Sequence, residues 1–308
     1  MELLLDLNQP DWLSDADLAE RLSQELPGVT IHCGPPDRPL PEVTMAVTSA
    51  GRPGFANFLP NLKLVQKLGA GVDGVLRHGD LPDHVQVARL ASTSQAEEIS
   101  EYVLGAILCW QRGFLKYARI KHWASERPEH VSERAVTVLG LGQIGARVAQ
   151  DLAQRGYSVK GWARSPRTIP GVECLHGAEA LDAALAGAGY IVSVLPSTPE
   201  TRGLFDAAGL SRLSADAVLI NVGRGDLIVP SDLCAALDAG ALRGAVLDVT
   251  PQEPWPETDP LWQREDVLIT PHVSGWSVEG GMDVVSDNYL RLQEGAPIRN
   301  LVDRTLGY

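Results

Sequence analysis

The sequence predicts an α/β protein built from two doubly wound parallel sheets. Short β-rich runs alternate with helical patterns along almost the whole chain, an order typical of parallel strands covered by helices. The alternation comes in two series, which a polar stretch around Pro128 separates. A length of 308 residues also suits two domains of ordinary size. We therefore expect each series to form its own sheet.

The first series contains five candidate strands and two candidate helices. The strands are predicted at Leu3–Leu7, Val29–His32, Thr44–Thr48, Lys63–Leu68 and Val85–Leu90. A helix is predicted at Ser14–Leu26, because leucines recur there at helical spacing behind Ser14 and Asp15, which suit a cap. A longer apolar pattern predicts a second helix from Gln95 to Trp123.

The second series contains six candidate strands. They are predicted at Ala135–Gly140, Ser158–Ala163, Tyr190–Leu195, Ala217–Val222, Ala245–Val249 and Val267–Thr270. Helices are expected between them, for example at Ile144–Gln154 and Ser231–Ala239. A final helix at Ser277–Glu294 precedes a tail at Asn300–Tyr308.

The composition excludes several classes of partner. The chain has 26 basic and 39 acidic residues, and its formal charge of −13 repels phosphate backbones and anionic lipids. It has no apolar run of about 18 residues and no basic signal region at its start. Its four cysteines show no CxxC pair, so we expect reduced thiols and no metal. A cytoplasmic protein without nucleic-acid or membrane partners is expected.

The strongest local signal is a glycine motif, Gly140-Leu-Gly142-Gln143-Ile144-Gly145, between a β-branched run and a helical pattern. In that context GxGxxG is typical of a dinucleotide-binding Rossmann domain. The first glycine allows the tight turn, and the second lets the backbone approach the pyrophosphate. The third lets helix and strand pack closely, and the helix N-terminus supplies N–H donors.

The end of the next strand indicates which dinucleotide is bound. NAD sites usually place Asp or Glu there to bind the ribose 2′-hydroxyl. This chain has Arg164, Ser165 and Arg167 and no carboxylate between Gly161 and Arg167. Arginine pairs well with a 2′-phosphate, and serine can add a hydrogen bond, although a solvated basic loop is the alternative. The sequence therefore predicts a preference for NADP(H), with NAD(H) still usable.

Three segments that follow strands of the second series supply an arginine, a glutamate and a histidine, namely Arg224, Glu253 and His272. Ligands of open α/β sheets bind at the carboxyl ends of the strands. Reduction of a 2-keto acid needs a hydride, a proton and a cation that polarises the carbonyl. The arginine fork suits the last task, histidine transfers protons near neutral pH, and a carboxylate stabilises the imidazolium. The set predicts reduction of a 2-keto acid or oxidation of the 2-hydroxy acid.

Together these motifs resemble the D-isomer-specific 2-hydroxyacid dehydrogenase family over essentially the whole chain. The similarity also includes Lys67–Asp73, the segment Glu101-Tyr-Val-Leu and Leu195–Thr201. Within the family, three features are most similar to the glyoxylate/hydroxypyruvate reductase A type. They are the Trp162–Arg167 stretch without an acid, Arg89-Leu90, and the ending Val302–Tyr308.

The resemblance implies roles for individual residues. Arg224 would hold the carbonyl and carboxylate oxygens of the substrate, His272 would be the acid–base, and Glu253 would pair with His272. Backbone amides around Ala70 and Gly71 would bind the substrate carboxylate. Contacts to the cofactor are expected at Gly140, Gly142, Gln143, Ile144, Gly145, Arg164, Ser165, Arg167, Leu195, Pro196, Thr201, Val222, Gly275 and Asp248, the last at the nicotinamide carboxamide.

The family also implies a Rossmann domain inserted into a flavodoxin-like substrate domain. We expect the substrate domain at residues 1–97 and 284–308 and the Rossmann domain at 98–283. A homodimer through the Rossmann domain is expected, with the segment near Trp123 reaching toward the other subunit. The expected substrate is a small anionic 2-keto or 2-hydroxy acid.

Several interpretations stay open on sequence alone. Trp276 could narrow the substrate pocket or pack between domains, and Arg89 could aid an anionic substrate, although a salt bridge is favoured. A dehydrogenase for a larger 2-keto acid or for phosphoglycerate, and a non-catalytic dinucleotide sensor, are alternative functions. The missing acid near Arg164 disfavours a strict NAD enzyme. The complete set of arginine, glutamate and histidine disfavours a sensor.

Overall fold

A computed structural model describes residues 1–8, 13–78, 80–277 and 281–307. The chain divides into two compact units, Met1–Ser94 with Ser277–Tyr308, and Gln95–Trp276. One unit is thus built from both ends of the chain, and the other is a single continuous segment. The sequence placed these borders after residues 97 and 283, a few residues later in each case.

Twelve strands lie within the described residues. They are β1 Glu2–Asp6, β2 Ile31–Cys33, β3 Val43–Thr48, β4 Leu64–Lys67, β5 Gln86–Arg89, β6 Ala135–Leu139, β7 Val159–Ala163, β8 Val172–His176, β9 Ala188–Ser193, β10 Val218–Asn221, β11 Gly244–Leu247 and β12 Val267–Ile269. All of the sequence-predicted strands are present, with ends that differ by one or two residues.

Nine α-helices lie in the same described parts of the chain. They are α1 Asp15–Glu25, α2 Asp73–His78, α3 Thr93–Gln111, α4 Phe114–Tyr117, α5 Gln143–Gln154, α6 Leu181–Leu185, α7 Ala207–Leu210, α8 Pro230–Asp238 and α9 Asp283–Glu294. The predicted cap of α1 is confirmed at Ser14, whose Oγ accepts a hydrogen bond from the Asp17 amide at 3.0 Å. None of the described helices is long and apolar enough to cross a membrane.

The first unit contains a five-stranded sheet in the order β2-β1-β3-β4-β5, with every pair parallel. This is the flavodoxin-like order 2-1-3-4-5. Buried apolar side chains form one cluster on each face of this sheet. Within β1, Leu3 and Leu5 belong to one cluster and Leu4 to the other, because successive side chains point to opposite faces.

The second unit contains a seven-stranded parallel sheet in the order β12-β11-β10-β9-β6-β7-β8. Counted from β6, this is the Rossmann order 3-2-1-4-5-6 extended by one strand. Both faces are covered, as Leu219 of β10 packs in one apolar cluster and Val218 and Ile220 in the other. The predicted fold class, two doubly wound parallel sheets, is therefore confirmed. The strand order reverses between β6 and β9, the place where such sheets bind ligands.

Three sequence predictions need correction or fall outside the described residues. The helix predicted from Gln95 to Trp123 is wrong in length, because α3 ends at Gln111 and Gly113 adopts a left-handed φ of 68° before α4. Strand β8 was not predicted. It is an edge strand whose five residues are all partly or fully exposed, so its sequence lacks the apolar pattern of a buried strand. The final helix begins at Asp283, and residues 278–280 and Tyr308 of the predicted helix and tail lie outside the described residues.

Candidate active site

The glycine motif forms the turn between β6 and α5. Gly140 has a φ of 96°, a left-handed conformation that side chains rarely adopt. A Cβ on Gly145 would overlap the carbonyl oxygen of Gly140, so the helix can approach the strand only with glycine there. A Cβ on Gly142 would meet nothing within 4 Å. The fold thus does not itself require glycine at 142, which fits a backbone that must stay open for a pyrophosphate.

The carboxyl end of β7 leads into a basic, exposed stretch. Arg164, Ser165 and Arg167 are all exposed, as a site for an added 2′-phosphate requires. Arg164 also lies near the loop after β9. Hydrogen bonds from Thr198 and from its own backbone lower the pKa of the Glu200 carboxyl, and the positive charge of Arg164 lowers it further. Arg164 therefore lies within electrostatic reach of the loop that contains the predicted cofactor contacts Pro196 and Thr201.

The loop after β10 holds Arg224. Asn221, the last residue of β10, is fully buried, and its side-chain amide donates to the Arg224 carbonyl at 2.8 Å. Its side-chain oxygen accepts from the Gly223 amide at 3.2 Å. The half-buried Arg224 side chain donates from one guanidinium nitrogen to the Gly223 carbonyl at 2.6 Å. Asn221 therefore fixes the backbone from which the arginine extends.

Two glycines bring this loop against its neighbours. A Cβ on Gly223 would lie 2.6 Å from the Leu195 carbonyl oxygen, and one on Gly225 would overlap the backbone of Thr250. The Arg224 loop is thus in backbone contact with the loop after β9 on one side. On the other side it contacts the loop after β11, which contains Glu253. This close approach places the arginine and glutamate loops side by side at the carboxyl ends of the strands.

Glu253 and His272 form a hydrogen-bonded pair. His272 Nδ1 lies 2.7 Å from Glu253 Oε2, and the Thr250 amide donates to the other carboxylate oxygen at 3.2 Å. The two side chains are 50% and 40% exposed within this chain, so the ring can be reached from outside. Because a carboxylate can only accept, Nδ1 bears a proton in this pair. The other ring nitrogen, Nε2, is then the atom that can exchange a proton with a ligand.

Asp248 holds the backbone around His272. It follows β11, is 1% exposed, and accepts from the amides of Val273 and Ser274, each at 2.9 Å. The Thr270 hydroxyl donates to the same carboxylate at 2.7 Å, and the His272 amide donates to the Asp248 carbonyl at 2.9 Å. His272 itself has a φ of 56°, a strained value for a residue with a side chain. The loop that presents the imidazole is thus fixed chiefly by one buried carboxylate.

Comparison with known proteins identifies the family. The profile for the NAD binding domain of D-isomer specific 2-hydroxyacid dehydrogenases matches residues 106–274. Glyoxylate/hydroxypyruvate reductase A of Serratia proteamaculans is 35% identical over 98% of this chain and 97% of its own. The chain belongs to the D-isomer specific 2-hydroxyacid dehydrogenase family. Membership in this family makes it a pyridine-nucleotide-dependent oxidoreductase.

Solved structures of this dehydrogenase family are similar to the whole chain. A dehydrogenase from Xanthobacter autotrophicus in complex with NADPH and MES has a TM-score of 0.92 and 36% identity, covering 100% of this chain and 99% of its own. An NADPH-dependent glyoxylate/hydroxypyruvate reductase from Sinorhizobium meliloti, in complex with NADP and sulfate, has a TM-score of 0.91 and 33% identity at the same coverage.

The remaining residues singled out from the sequence of this dehydrogenase lie in several places. Leu195, Pro196, Thr201, Val222, Asp248 and Gly275 lie in loops that follow β9, β10, β11 and β12 of the continuous unit. Thr201 is engaged within its loop, where its hydroxyl donates to the Pro196 carbonyl at 2.6 Å. Ala70 and Gly71 belong to the other unit and follow β4. In that unit Arg89 donates to the Ala70 carbonyl at 3.4 Å, and the salt bridge that the sequence favoured for it stays a prediction.

The two tryptophans that the sequence singled out are both exposed, Trp123 at 96% and Trp276 at 49%. The roles suggested for Trp123 in a homodimer and for Trp276 in the substrate pocket stay predictions. The four cysteines are free, and among the described residues no group of three or more His, Cys, Asp and Glu is arranged to hold a metal.

Three residues of the site make hydrogen bonds to its loops that the sequence did not predict. Asn221 is the last residue of the buried strand β10 and binds the backbone of the Arg224 loop. Thr270 follows β12 and donates to Asp248, and Asp248 accepts from the Ser274 amide of the His272 loop. The only local signal was a polar residue directly after an apolar run. That signal marks the carboxyl end of a strand, but it does not say which loop the side chain binds.

Two glycine variants separate folding from dinucleotide binding. Gly142→Ala should fold with an unchanged Tm, because its Cβ meets open space, yet weaken NADPH binding about tenfold or more by blocking the backbone approach. Gly145→Ala should lose stability, since its Cβ overlaps Gly140. Calorimetry and NADPH titration measure both quantities.

The control is Gly105→Ala at an exposed position of α3, where a Cβ also meets nothing within 4 Å. It should retain NADPH affinity, and its Tm should be equal to or slightly above that of the wild type, because alanine favours a helix interior over glycine. Wild-type NADPH binding by Gly142→Ala would show that this turn is not the pyrophosphate site.

Proposed function

We propose that this dehydrogenase reduces small 2-keto acids of the glyoxylate and hydroxypyruvate class to the 2-hydroxy acid with NADPH. The observation that supports the proposal most strongly is the Glu253–His272 pair at 2.7 Å, on loops of the unit that contains the dinucleotide turn. The similarity to glyoxylate/hydroxypyruvate reductase A supports the choice of substrate class.

His272 acts in this proposal as the acid–base. Glu253 holds Nδ1 and stabilises the imidazolium, so that Nε2 gives its proton to the carbonyl oxygen of the keto acid during reduction. In the reverse direction the neutral ring takes the proton from the hydroxyl. The pair therefore matches the one proton transfer that interconversion of a ketone and an alcohol requires.

Arg224 binds the anionic substrate in this proposal. Its guanidinium is planar and forked, a shape that matches two oxygens of a 2-keto acid. One nitrogen is already oriented by the Gly223 carbonyl, which limits the positions of the others. The same charge polarises the carbonyl as negative charge develops on its oxygen. The backbone amides of Ala70 and Gly71 remain the predicted partners of the substrate carboxylate.

The coenzyme proposal rests on the turn at Gly140–Gly145 and on the basic stretch after β7. When bound, NADPH supplies the hydride that the carbonyl carbon receives. Arg164, Ser165 and Arg167 are proposed to bind its 2′-phosphate, and Asp248, whose carboxylate has accepting capacity beyond its three donors, to bind the carboxamide. The NADPH and NADP in the two solved relatives support this preference. A homodimer and a cytoplasmic location stay predictions.

Removing the imidazole tests the acid–base role. His272→Ala should lower kcat for glyoxylate or hydroxypyruvate by roughly two to four decades, the contribution of a positioned proton donor, with little change in NADPH affinity. The loss of NADPH absorbance measures the rate. His84→Ala, at an exposed histidine of the other unit, should match the wild type. Tight NADPH binding by the wild type without turnover of any 2-keto acid would favour a dinucleotide sensor.

Glu253→Gln tests the charge of the partner. The amide keeps the size of the side chain and a hydrogen-bonding group but loses the negative charge that stabilises the imidazolium. Reduction needs the imidazolium as proton donor, so kcat for the keto acid should fall about tenfold or more while NADPH affinity stays nearly unchanged. A kcat equal to that of the wild type would contradict this role.

Arg224 should tolerate no conservative change. Arg224→Lys keeps the charge but loses the fork, and Arg224→Ala loses both, so both should raise KM for the keto acid and lower kcat, the alanine variant further. Steady-state kinetics with a series of 2-keto acids of increasing size would measure both constants. It would also define the size limit of the substrate. Unchanged constants in Arg224→Lys would remove the bidentate role.

The coenzyme preference is tested at Arg164. Arg164→Ala should raise KM for NADPH about tenfold or more and leave KM for NADH nearly unchanged, because only NADPH has the 2′-phosphate. The matched control is Arg155→Ala, at an exposed arginine that ends α5. A wild type that prefers NADH would contradict the proposal.

A further inference from the structure

Helix α3 presents one face to the loop that contains His272. Gln95, Ile99 and Tyr102 are spaced i, i+4 and i+7, so they share that face. The Gln95 side chain donates to the Gly275 carbonyl at 3.3 Å, and a Cβ on Gly275 would lie 2.8 Å from Ile99. The Tyr102 hydroxyl lies 2.6 Å from the Thr270 hydroxyl. The helix thus contacts the loop at both of its ends.

The direction of the hydrogen bonds between Tyr102, Thr270 and Asp248 follows from their chemistry. Thr270 donates its one hydroxyl proton to Asp248 Oδ1, which also accepts from the Val273 amide. The Thr270 hydroxyl oxygen must therefore accept the hydrogen bond from the Tyr102 hydroxyl. Burial raises the pKa of Tyr102 to about 12, so the phenol keeps its proton near neutral pH and remains a donor. The three side chains form one relay that ends on the buried carboxylate.

The relay ends at the group that fixes His272. Asp248 binds the amides of Val273 and Ser274 through its side chain and that of His272 through its carbonyl. His272 has a left-handed φ of 56°, which an isolated loop would not favour. Such a conformation persists when the surrounding contacts determine it. A carboxylate free to rotate would release two of the amides that flank the imidazole.

We propose that Tyr102 and Thr270 are positioning residues for the acid–base His272, an inference that rests on the proposed function. Tyr102 anchors Thr270 to α3, and Thr270 orients Asp248 so that the loop presents the imidazole at a fixed place. Neither hydroxyl transfers a proton to the substrate. Their loss therefore lowers the rate of the chemical step and leaves binding of the keto acid and of NADPH nearly unchanged.

Removal of a single hydroxyl tests this inference. Tyr102→Phe keeps the ring and its packing, and the loss of one hydrogen bond should lower kcat about 3- to 10-fold with KM for both substrates nearly unchanged. The matched control is Tyr157→Phe, whose buried hydroxyl donates to Gln111 of the same helix at 2.8 Å. Tyr157→Phe should lower Tm by a few degrees, as Tyr102→Phe should, but it should leave kcat at the wild-type value.

Two variants of Thr270 provide a rescue test that does not depend on Tyr102. Thr270→Ser keeps the hydroxyl and should stay within about twofold of the wild-type kcat. Thr270→Val keeps the shape, loses both hydrogen bonds and should fall at least as far as Tyr102→Phe. Because the two residues act through one relay, adding Tyr102→Phe to Thr270→Val should lower kcat no further.

The outcomes separate this inference from the proposed function. Equal kcat values for Tyr102→Phe and Tyr157→Phe, or for Thr270→Ser and Thr270→Val, would overturn the positioning role while an inactive His272→Ala still supports the acid–base. A variant that raises KM but leaves kcat unchanged would also overturn the positioning role. A fully active His272→Ala would reject the proposed function and the positioning role together.

Discussion

The burial of Asp248 is the constraint on which the candidate site depends. A carboxylate that is 1% exposed is costly to bury unless hydrogen bonds replace its lost water. Its donors are the Thr270 hydroxyl and the amides of Val273 and Ser274, so the carboxylate is satisfied only when the loop after β12 has this shape. Burial and loop geometry therefore stabilise each other. The strained backbone of His272 is tolerated because the surrounding hydrogen bonds offset its cost.

Close backbone packing brings the remaining parts of the site together at the carboxyl ends of the strands. Gly145 allows α5 to approach β6, and Gly223 and Gly225 allow the arginine loop to touch the loops after β9 and β11. A side chain at Gly145 would push α5 away from the turn after β6, and one at Gly223 or Gly225 would force neighbouring loops apart. Gly145 belongs to the dinucleotide motif, whereas Gly223 and Gly225 flank Arg224. Together the three glycines set the spacing at which side chains from different loops can act on one small molecule.

The sequence predicted the local features of this molecule well and its long-range contacts poorly. Strand positions, the glycine turn and the order of Arg224, Glu253 and His272 follow from local patterns, because apolar periodicity and glycine spacing are encoded within a few residues. The hydrogen bond between Tyr102 and Thr270 joins residues 168 positions apart, and no local pattern encodes it. The end of α3 was missed for a related reason, since an apolar pattern continues past Gly113 while the backbone turns there.

In the proposed function, a chain with a formal charge of −13 attracts an anionic keto acid and a phosphorylated coenzyme. At physiological ionic strength, charges beyond about 8 Å are largely screened, so the total charge matters less than the groups nearest the ligand. Arg224 is placed by a buried asparagine at the sheet edge, and Arg164 and Arg167 follow β7. Local cations held by the fold, and not the sign of the whole surface, would then decide which anions bind.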